Sequence, residues 1–200
     1  MKMEKDALPQ NPYDLVRAWL TEAEATEPND PSAVCLATST AEGRVSNRMV
    51  LCRGVDERGF VFFTNSESRK GTDMADNPYA AMCFHWKSLR RQIRVEGRID
   101  IISDAEADTY YKSRPRGSRI GAWASAQSRP LDDYEDLVKS VEEYERKYEG
   151  VEDVPRPPYW NGYRLTPEKI EFWIDGQYRL HRRYIYEPVN NGWSVHMINP

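Results

Sequence analysis

Residues 80–102 read A-A-M-C-F-H-W-K-S-L-R-R-Q-I-R-V-E-G-R-I-D-I-I. Two β-type runs, Ala80–Trp86 and Gln92–Ile102, are joined by a short polar link. A parallel crossover needs a dozen or more residues, so these runs are expected to pair antiparallel. The pattern extends upstream through Ala33–Thr38, Arg48–Arg53 and Phe60–Thr64. Glu42-Gly43, Arg58-Gly59 and Asn77-Pro78 supply the turn signals between them. Strands resume at Gly162–Leu165, Lys169–Trp173, Arg179–Tyr186 and Trp193–Ile198.

Helical periodicity occupies the remainder. Asn11–Glu27 carries Leu15, Val16, Trp19, Leu20 and Ala23 on one face. A short helix fits Arg69–Asp76. Ser103-Asp104-Ala105-Glu106 is a capping box that opens a helix through about Lys112. Ile120–Ala126 reads as a short helical piece. Leu131–Tyr148 is a longer helix with Leu131, Tyr134, Leu137, Val138, Val141, Tyr144 and Tyr148 along one face. Val154–Pro158, with its three prolines, is a stiff connector. The sum is a mainly β chain with peripheral helices, an α+β antiparallel barrel with helices outside it. One domain is expected over residues 1–200, with 1–28 an N-terminal helical segment and 160–200 completing the barrel.

The 200 residues are 40% hydrophobic and 30% charged, with a formal net charge of −4. That balance argues against a general nucleic-acid binder. No apolar run reaches the roughly 20 residues that span a bilayer. The opening MKMEKDALPQNPYD has no apolar stretch behind its charges, so no secretory signal is expected. Cys35, Cys52 and Cys83 sit in apolar runs with no zinc spacing and read as reduced core residues of a cytoplasmic protein. His85, between Phe84 and Trp86, reads as a packed strand residue, and His196 as structural. No metal site is expected.

Within this acidic chain, Lys112–Arg119 (K-S-R-P-R-G-S-R) packs four cations and two serines into eight residues. Hydroxyls and guanidinium forks together suit a phosphate; a solvated basic loop or a nucleic-acid patch is the competing reading. Three further groups share this character. Arg48 and Arg53 bracket an apolar stretch and, five apart on a strand, face two different places. Thr64–Gly71 leaves a strand, turns and starts a helix, which makes either an anion cradle or an ordinary polar turn. Trp173 followed by Arg179-Leu180-His181-Arg182-Arg183 pairs a flat ring with donors, or is an edge strand with solvated arginines. No nucleophile elbow, P-loop or G-x-G-x-x-G is present.

Seven blocks carry a family resemblance: R-M-V-L-C-R (48–53), F-F-T-N-S-E-S-R-K-G (62–71), R-Q-I-R-V-E-G (91–97), Y-Y-K-S-R-P-R-G-S-R-I-G-A-W-A-S-x-Q-S (110–128), P-x-Y-W-N-G-Y-R (157–164), I-E-F-W (170–173) and R-L-H-R-R (179–183). In order and nearly in spacing they resemble the pyridoxamine 5′-phosphate oxidase family. The resemblance implies a split β-barrel homodimer with FMN at the subunit interface. It implies oxidation of pyridoxamine or pyridoxine 5′-phosphate to pyridoxal 5′-phosphate, with O2 reduced to hydrogen peroxide and ammonia released from the amine. By matching motif, Arg48, Met49, Val50, Leu51, Phe63, Thr64, Arg69, Lys70 and Gln92 would line FMN, with Arg69 and Lys70 at its phosphate. Gln127 and Ser128 would reach the flavin from the other subunit, and Trp173 and Arg183 would approach it. Arg53, Tyr110, Arg114 and Ser118 would hold the substrate phosphate. Arg179 and His181 would sit by the substrate ring as the catalytic pair.

The chain departs from the family pattern at Arg53, usually Lys; at Arg182, usually Asp; at Asn161, usually Gly; and at its Ile-Asn-Pro end, usually Leu-Ala-Pro. It also lacks the basic, aromatic N-terminal segment that many members fold over the substrate. Three alternatives remain at this stage: a related split-barrel flavoenzyme acting on another reduced ring compound, a non-catalytic FMN- or pyridoxal-phosphate-binding protein, and an RNA-binding barrel.

Overall fold

The computed structural model describes residues 8–200; the first seven residues of the expected N-terminal segment lie outside the described residues. Helix α1 (Pro12–Thr26) starts where Asn11 Oδ1 accepts the Tyr13 N–H at 3.1 Å and Pro12 opens the first turn. Its apolar stripe buries Val16, Trp19 and Ala23, and Trp19 meets Phe172 edge-on at 5.2 Å.

Nine strands follow: β1 (Ala33–Ser39), β2 (Val45–Leu51), β3 (Gly54–Asp56), β4 (Gly59–Asn65), β5 (Tyr79–Trp86), β6 (Arg91–Ile101), β7 (Trp160–Ile174), β8 (Arg182–Val189) and β9 (Gly192–Ile198). Every pairing is antiparallel. The order is β2-β1-β5-β6-β7-β4-β3, with β8 on β7 and β9 on β8. β7 is the pivot. Its first half pairs with β4 (Thr64 opposite Asn161), its second with β8 (Trp173 opposite Arg183), and β6 runs along its other edge. The two strands expected at 162–165 and 169–173 are therefore one. Pro167 lies in its middle without breaking it, because the register shifts at Glu96/Gly97 opposite, the kind of bulge where a missing N–H is tolerated.

Alternation fixes the core. Leu36, Phe60, Phe62, Phe84, Ile93 and Phe172 are fully buried, and each contributes roughly 1.5–3 kcal/mol by leaving water. The same alternation corrects the reading of His85: with Phe84 and Trp86 inward, it must face outward, and it is exposed. Cys35 and Cys83 share that outer face half-buried, so only Cys52 is a core cysteine. His196 is also exposed.

Four more helices lie outside the sheet: α2 (Arg69–Asp76), α3 (Asp104–Ser113), α4 (Arg116–Ala124) and α5 (Tyr134–Lys147). Arg156 in the connector grips Asp104 and Asp108 at 2.5 and 2.6 Å and Trp160 O at 2.7 Å, so it ties α3 to the start of β7. Three sequence expectations change here. The basic knot is mostly helical, since α3 runs through Ser113 and α4 starts at Arg116, leaving only Arg114 and Pro115 between them, and Arg119 is buried with its Nη1 3.6 Å from Asp153. α5 buries no residue fully; it leans on α4 through Trp123, which stacks on Tyr144 at 5.8 Å. The last basic group does not begin a strand at Arg179. Gln177–Arg179 is a tight turn with Tyr178 and Arg179 at φ 57° and 66°, a left-handed conformation that cannot continue a strand. No helix among the described residues is long and apolar enough to cross a membrane.

Candidate functional site

The chain leaves β4 at Asn65 and enters α2 through Ser68, whose hydroxyl accepts the Gly71 N–H. Gly71 is required here: a Cβ would lie 2.2 Å from Ser66 O. This turn buries Lys70. Its Nζ donates to Thr64 Oγ1 at 3.1 Å, Ser68 Oγ at 3.1 Å and Gln127 Oε1 at 3.0 Å, all neutral oxygens. Burial first, and Arg48 second, push its ammonium down from 10.5 to about 8. A buried cation with no carboxylate beside it is prepared for an anion from outside the chain.

Arg48, on β2, lies behind this point. Its guanidinium donates to Thr38 Oγ1 at 2.7 Å and to Leu36 O at 3.2 Å, and stands 3.8 Å from buried Asp73. Arg53, beyond the end of β2, opens instead into a cleft of about 850 Å³. The two arginines thus lie in different places, although Arg53 stands past the strand end and strand alternation does not set its direction. Met49, Val50, Leu51, Phe63, Thr64 and Lys70 line that cleft together with Tyr110, Arg114, Ser118 and Gln127.

An aromatic ladder makes the far wall. Phe63 stacks on Tyr110 at 3.9 Å and on Trp160 at 5.2 Å. The Arg114 guanidinium lies 4.8 Å from the Trp160 ring, and its buried Nη1 has no hydrogen-bond partner. Burial, ahead of every other influence, lowers its pKa. Trp160 received no role from sequence, although it stands in the 157–164 block; only its register opposite Asn65 on β4 brings it into the wall. Among the described residues the cleft therefore holds three cations with no carboxylate partner, Lys70 at one place and Arg114 with Arg53 at another, beside an aromatic surface.

The remaining expected residues form a second group. Gln92, Trp173 and Arg183 are direct neighbours across β6, β7 and β8. Arg183 forks onto buried Glu171 at 2.7 and 2.9 Å, and Arg94 reaches the same carboxylate at 3.1 Å. His181 packs its ring 4.5 Å from Trp173, and Arg179 is exposed on the preceding turn. None of these five lines the cleft. Asn161 and Trp173 stand at opposite ends of the 15-residue β7, roughly 40 Å apart along the strand at 3.3 Å per residue. Arg69 is exposed at the α2 start and Ser128 holds φ 70° just past Gln127; neither lines the cleft. The Gln127 side chain meets Lys70 and Thr64 of its own chain. Among the described residues no cluster of His, Cys, Asp and Glu is arranged to hold a metal.

An antiparallel split barrel with a basic, ring-walled cleft is the class that this geometry defines, and comparison with known proteins narrows it. The family model for pyridoxamine 5′-phosphate oxidase matches residues 20–148. A second model, the pyridoxine 5′-phosphate oxidase C-terminal dimerisation region, matches residues 160–200. Pyridoxine/pyridoxamine 5′-phosphate oxidase of Rhodospirillum rubrum is 55% identical over 196 residues, covering 96% of this chain and 97% of the relative. The protein of the same name from Gluconobacter oxydans is 54% identical, with 96% of each chain covered. PhzG from Burkholderia lata 383, solved with tetrahydrophenazine-1-carboxylic acid, superposes with a TM-score of 0.92 at 34% identity over 100% of this chain and 98% of that one. An FMN-binding protein from Nostoc punctiforme shares the fold at a TM-score of 0.75 and 17% identity, each chain fully covered. The chain belongs to the pyridoxamine 5′-phosphate oxidase family.

Proposed function

We propose that the protein oxidises pyridoxamine or pyridoxine 5′-phosphate to pyridoxal 5′-phosphate with FMN and O2, as a homodimer. The observation that carries this reading is the two groups of unneutralised cations in one ring-walled cleft, Lys70 in one and Arg114 with Arg53 in the other. Two phosphate-bearing aromatic molecules need two anion sites and a flat apolar surface. The donor set fits FMN: a buried ammonium among neutral oxygens at a helix start suits the cofactor phosphate. The cleft volume suits a bound ring system.

Lys70, with Arg48, Arg69 and Thr64 around it, is assigned to the cofactor phosphate. Met49, Val50, Leu51, Phe63 and Gln127 would flank the rest, and Ser128 stays assigned to the same flavin. Arg114, Arg53, Tyr110 and Ser118 take the substrate phosphate. Gln92, Trp173 and Arg183 are assigned to a flavin held mostly by the second copy, with Arg179 and His181 over the substrate ring. The flavin supplies the hydride acceptor and its reoxidation by O2 yields hydrogen peroxide. The chain's own part is to anchor both phosphates, which fixes ring against ring. Arg179 and His181 orient the substrate and handle its proton.

The chain is read as one domain, because β8 and β9 extend the sheet of β1–β7. A cytoplasmic location belongs to the same proposal, supported by three unpaired cysteines. The test is direct. The purified protein should be yellow, and pyridoxamine 5′-phosphate in air should give pyridoxal 5′-phosphate and peroxide in equal amounts. A yellow protein that instead oxidises only a reduced phenazine-type ring, or nothing, would overturn the substrate assignment.

A further inference from the structure

Asp175 follows directly on β7 and sits beside His181. Its N–H donates to Arg90 O at 3.1 Å, and its Oδ2 is paired with the Arg90 guanidinium. Its Oδ1 stands 3.3 Å from His181 Nδ1, with both side chains 22% exposed. The backbone N–H of Gly176 points at the same nitrogen from 3.2 Å. One nitrogen cannot serve both. It accepts from Gly176 only through a lone pair, and it donates to Asp175 only while it carries a proton. A hydrogen bond to a carboxylate is about twice as strong as one between neutral groups. Gly176 is half-buried, so water can serve its N–H. The local backbone holds this arrangement: a Cβ on Gly176 would lie 2.0 Å from Leu180 O, so the turn closes tightly between the acid and the ring.

We propose that Asp175, pinned by Arg90, is a positioning residue that keeps the proton of His181 on Nδ1. The ring then exchanges its other proton only at Nε2, which has no hydrogen-bond partner among the described residues. This deepens the function proposed above and rests on it: a ring fixed in this form and packed on Trp173 presents one basic nitrogen to the substrate's 4′ group. The carboxylate beside this histidine is that of Asp175. The charged groups around the ring are Asp175 and, behind it, Arg90, with Arg179 and Arg182 flanking it in the chain.

The test compares wild-type holoenzyme with Asp175→Ala and the near-isosteric Asp175→Asn by two readouts. The first is the ring-nitrogen NMR signals of His181 across pH, assigned with a His181→Gln control. The neutral wild-type ring should carry its proton on Nδ1, and in Asp175→Ala it should revert to Nε2, with Nδ1 accepting from Gly176. The second readout is steady-state kinetics with pyridoxamine 5′-phosphate. The kcat should fall about 10- to 100-fold while KM moves by less than about threefold. Flavin content should stay unchanged, and Asp175→Glu should recover part of the loss. A wild-type neutral ring protonated on Nε2 would overturn the proposal, as would an Asp175→Asn enzyme with unaltered ring signals and kcat. If the wild type makes no product, the functional reading fails, and the ring signals still decide the role of Asp175.

Discussion

Lys70 is the residue on which the proposed cofactor site turns. Its ammonium is buried among Thr64, Ser68 and Gln127 and held down to about 8. Between about 8 and 10.5 the unfolded chain keeps a proton that the ligand-free folded chain has lost. The stability of the ligand-free protein should therefore rise with pH across that window, and below it the fold carries the buried charge at a cost. Bound phosphate reverses the preference by supplying a counter-charge. FMN affinity should accordingly fall as pH passes about 8, which a fluorescence titration of the apoprotein would detect. A flat affinity from pH 7 to 9.5 would remove Lys70 from the phosphate site. Lys70→Met should weaken FMN roughly 10- to 100-fold, the worth of one charged hydrogen-bonded contact. Arg114 should behave differently. Its orphaned Nη1 faces the substrate end of the cleft in our assignment, so Arg114→Ala should raise KM by about 10-fold or more and leave flavin content unchanged.

At the scale of elements, the turn from β4 into α2 and the turn after β7 place the chemistry. Gly71→Ala would drive a Cβ against Ser66 O. It should cost about 1–3 kcal/mol, seen as a lowered melting temperature with reduced flavin retention. On the outer face, Glu171 is 2% exposed between Arg94 and Arg183. Glu171→Gln would leave both cations short of a counter-charge and should cost about 1–3 kcal/mol in denaturant unfolding, since both arginines keep partial solvent contact.

The sequence made much of this legible. Arg69–Asp76 is helical over the residues that periodicity predicts, and Ser103 caps α3 as its motif requires. Local signals suffice there because caps and turns are made by neighbours in the chain. What escaped depends on partners far away. The continuity of β7 through Pro167 needs the bulge at Glu168, opposite Glu96 and Gly97 of β6. The left-handed turn at Tyr178 and Arg179 carries no glycine to announce it. The outward face of His85 follows only once Phe84 and Trp86 are known to point inward. Trp160 enters the site through its pairing with β4, a contact between distant segments.

At the scale of the whole molecule, the residues assigned to one site fall into two groups that a single chain does not bring together. The cleft that we assign to anions and rings lies at one end of β7, while Trp173, Arg179, His181 and Arg183 gather at the other. Those four residues lie within 160–200, the stretch matched by the dimerisation model. Two copies related by a two-fold axis would place the loop of each against the cleft of the other. The outer face of the sheet has the right character for that contact, with Cys35 and Cys83 half-buried and Met49 63% exposed. The most direct measurement is subunit mixing. Arg114→Ala damages the cleft and Arg179→Ala the loop, and with substrate well below KM each homodimer alone should keep about a tenth or less of the wild-type rate. Unfolding and refolding the two together should restore about a quarter of wild-type turnover, because half the dimers form as mixed pairs with one intact site of two. No recovery, with mixed dimers demonstrated by mass, would mean that each site is built from a single chain and would contradict the account.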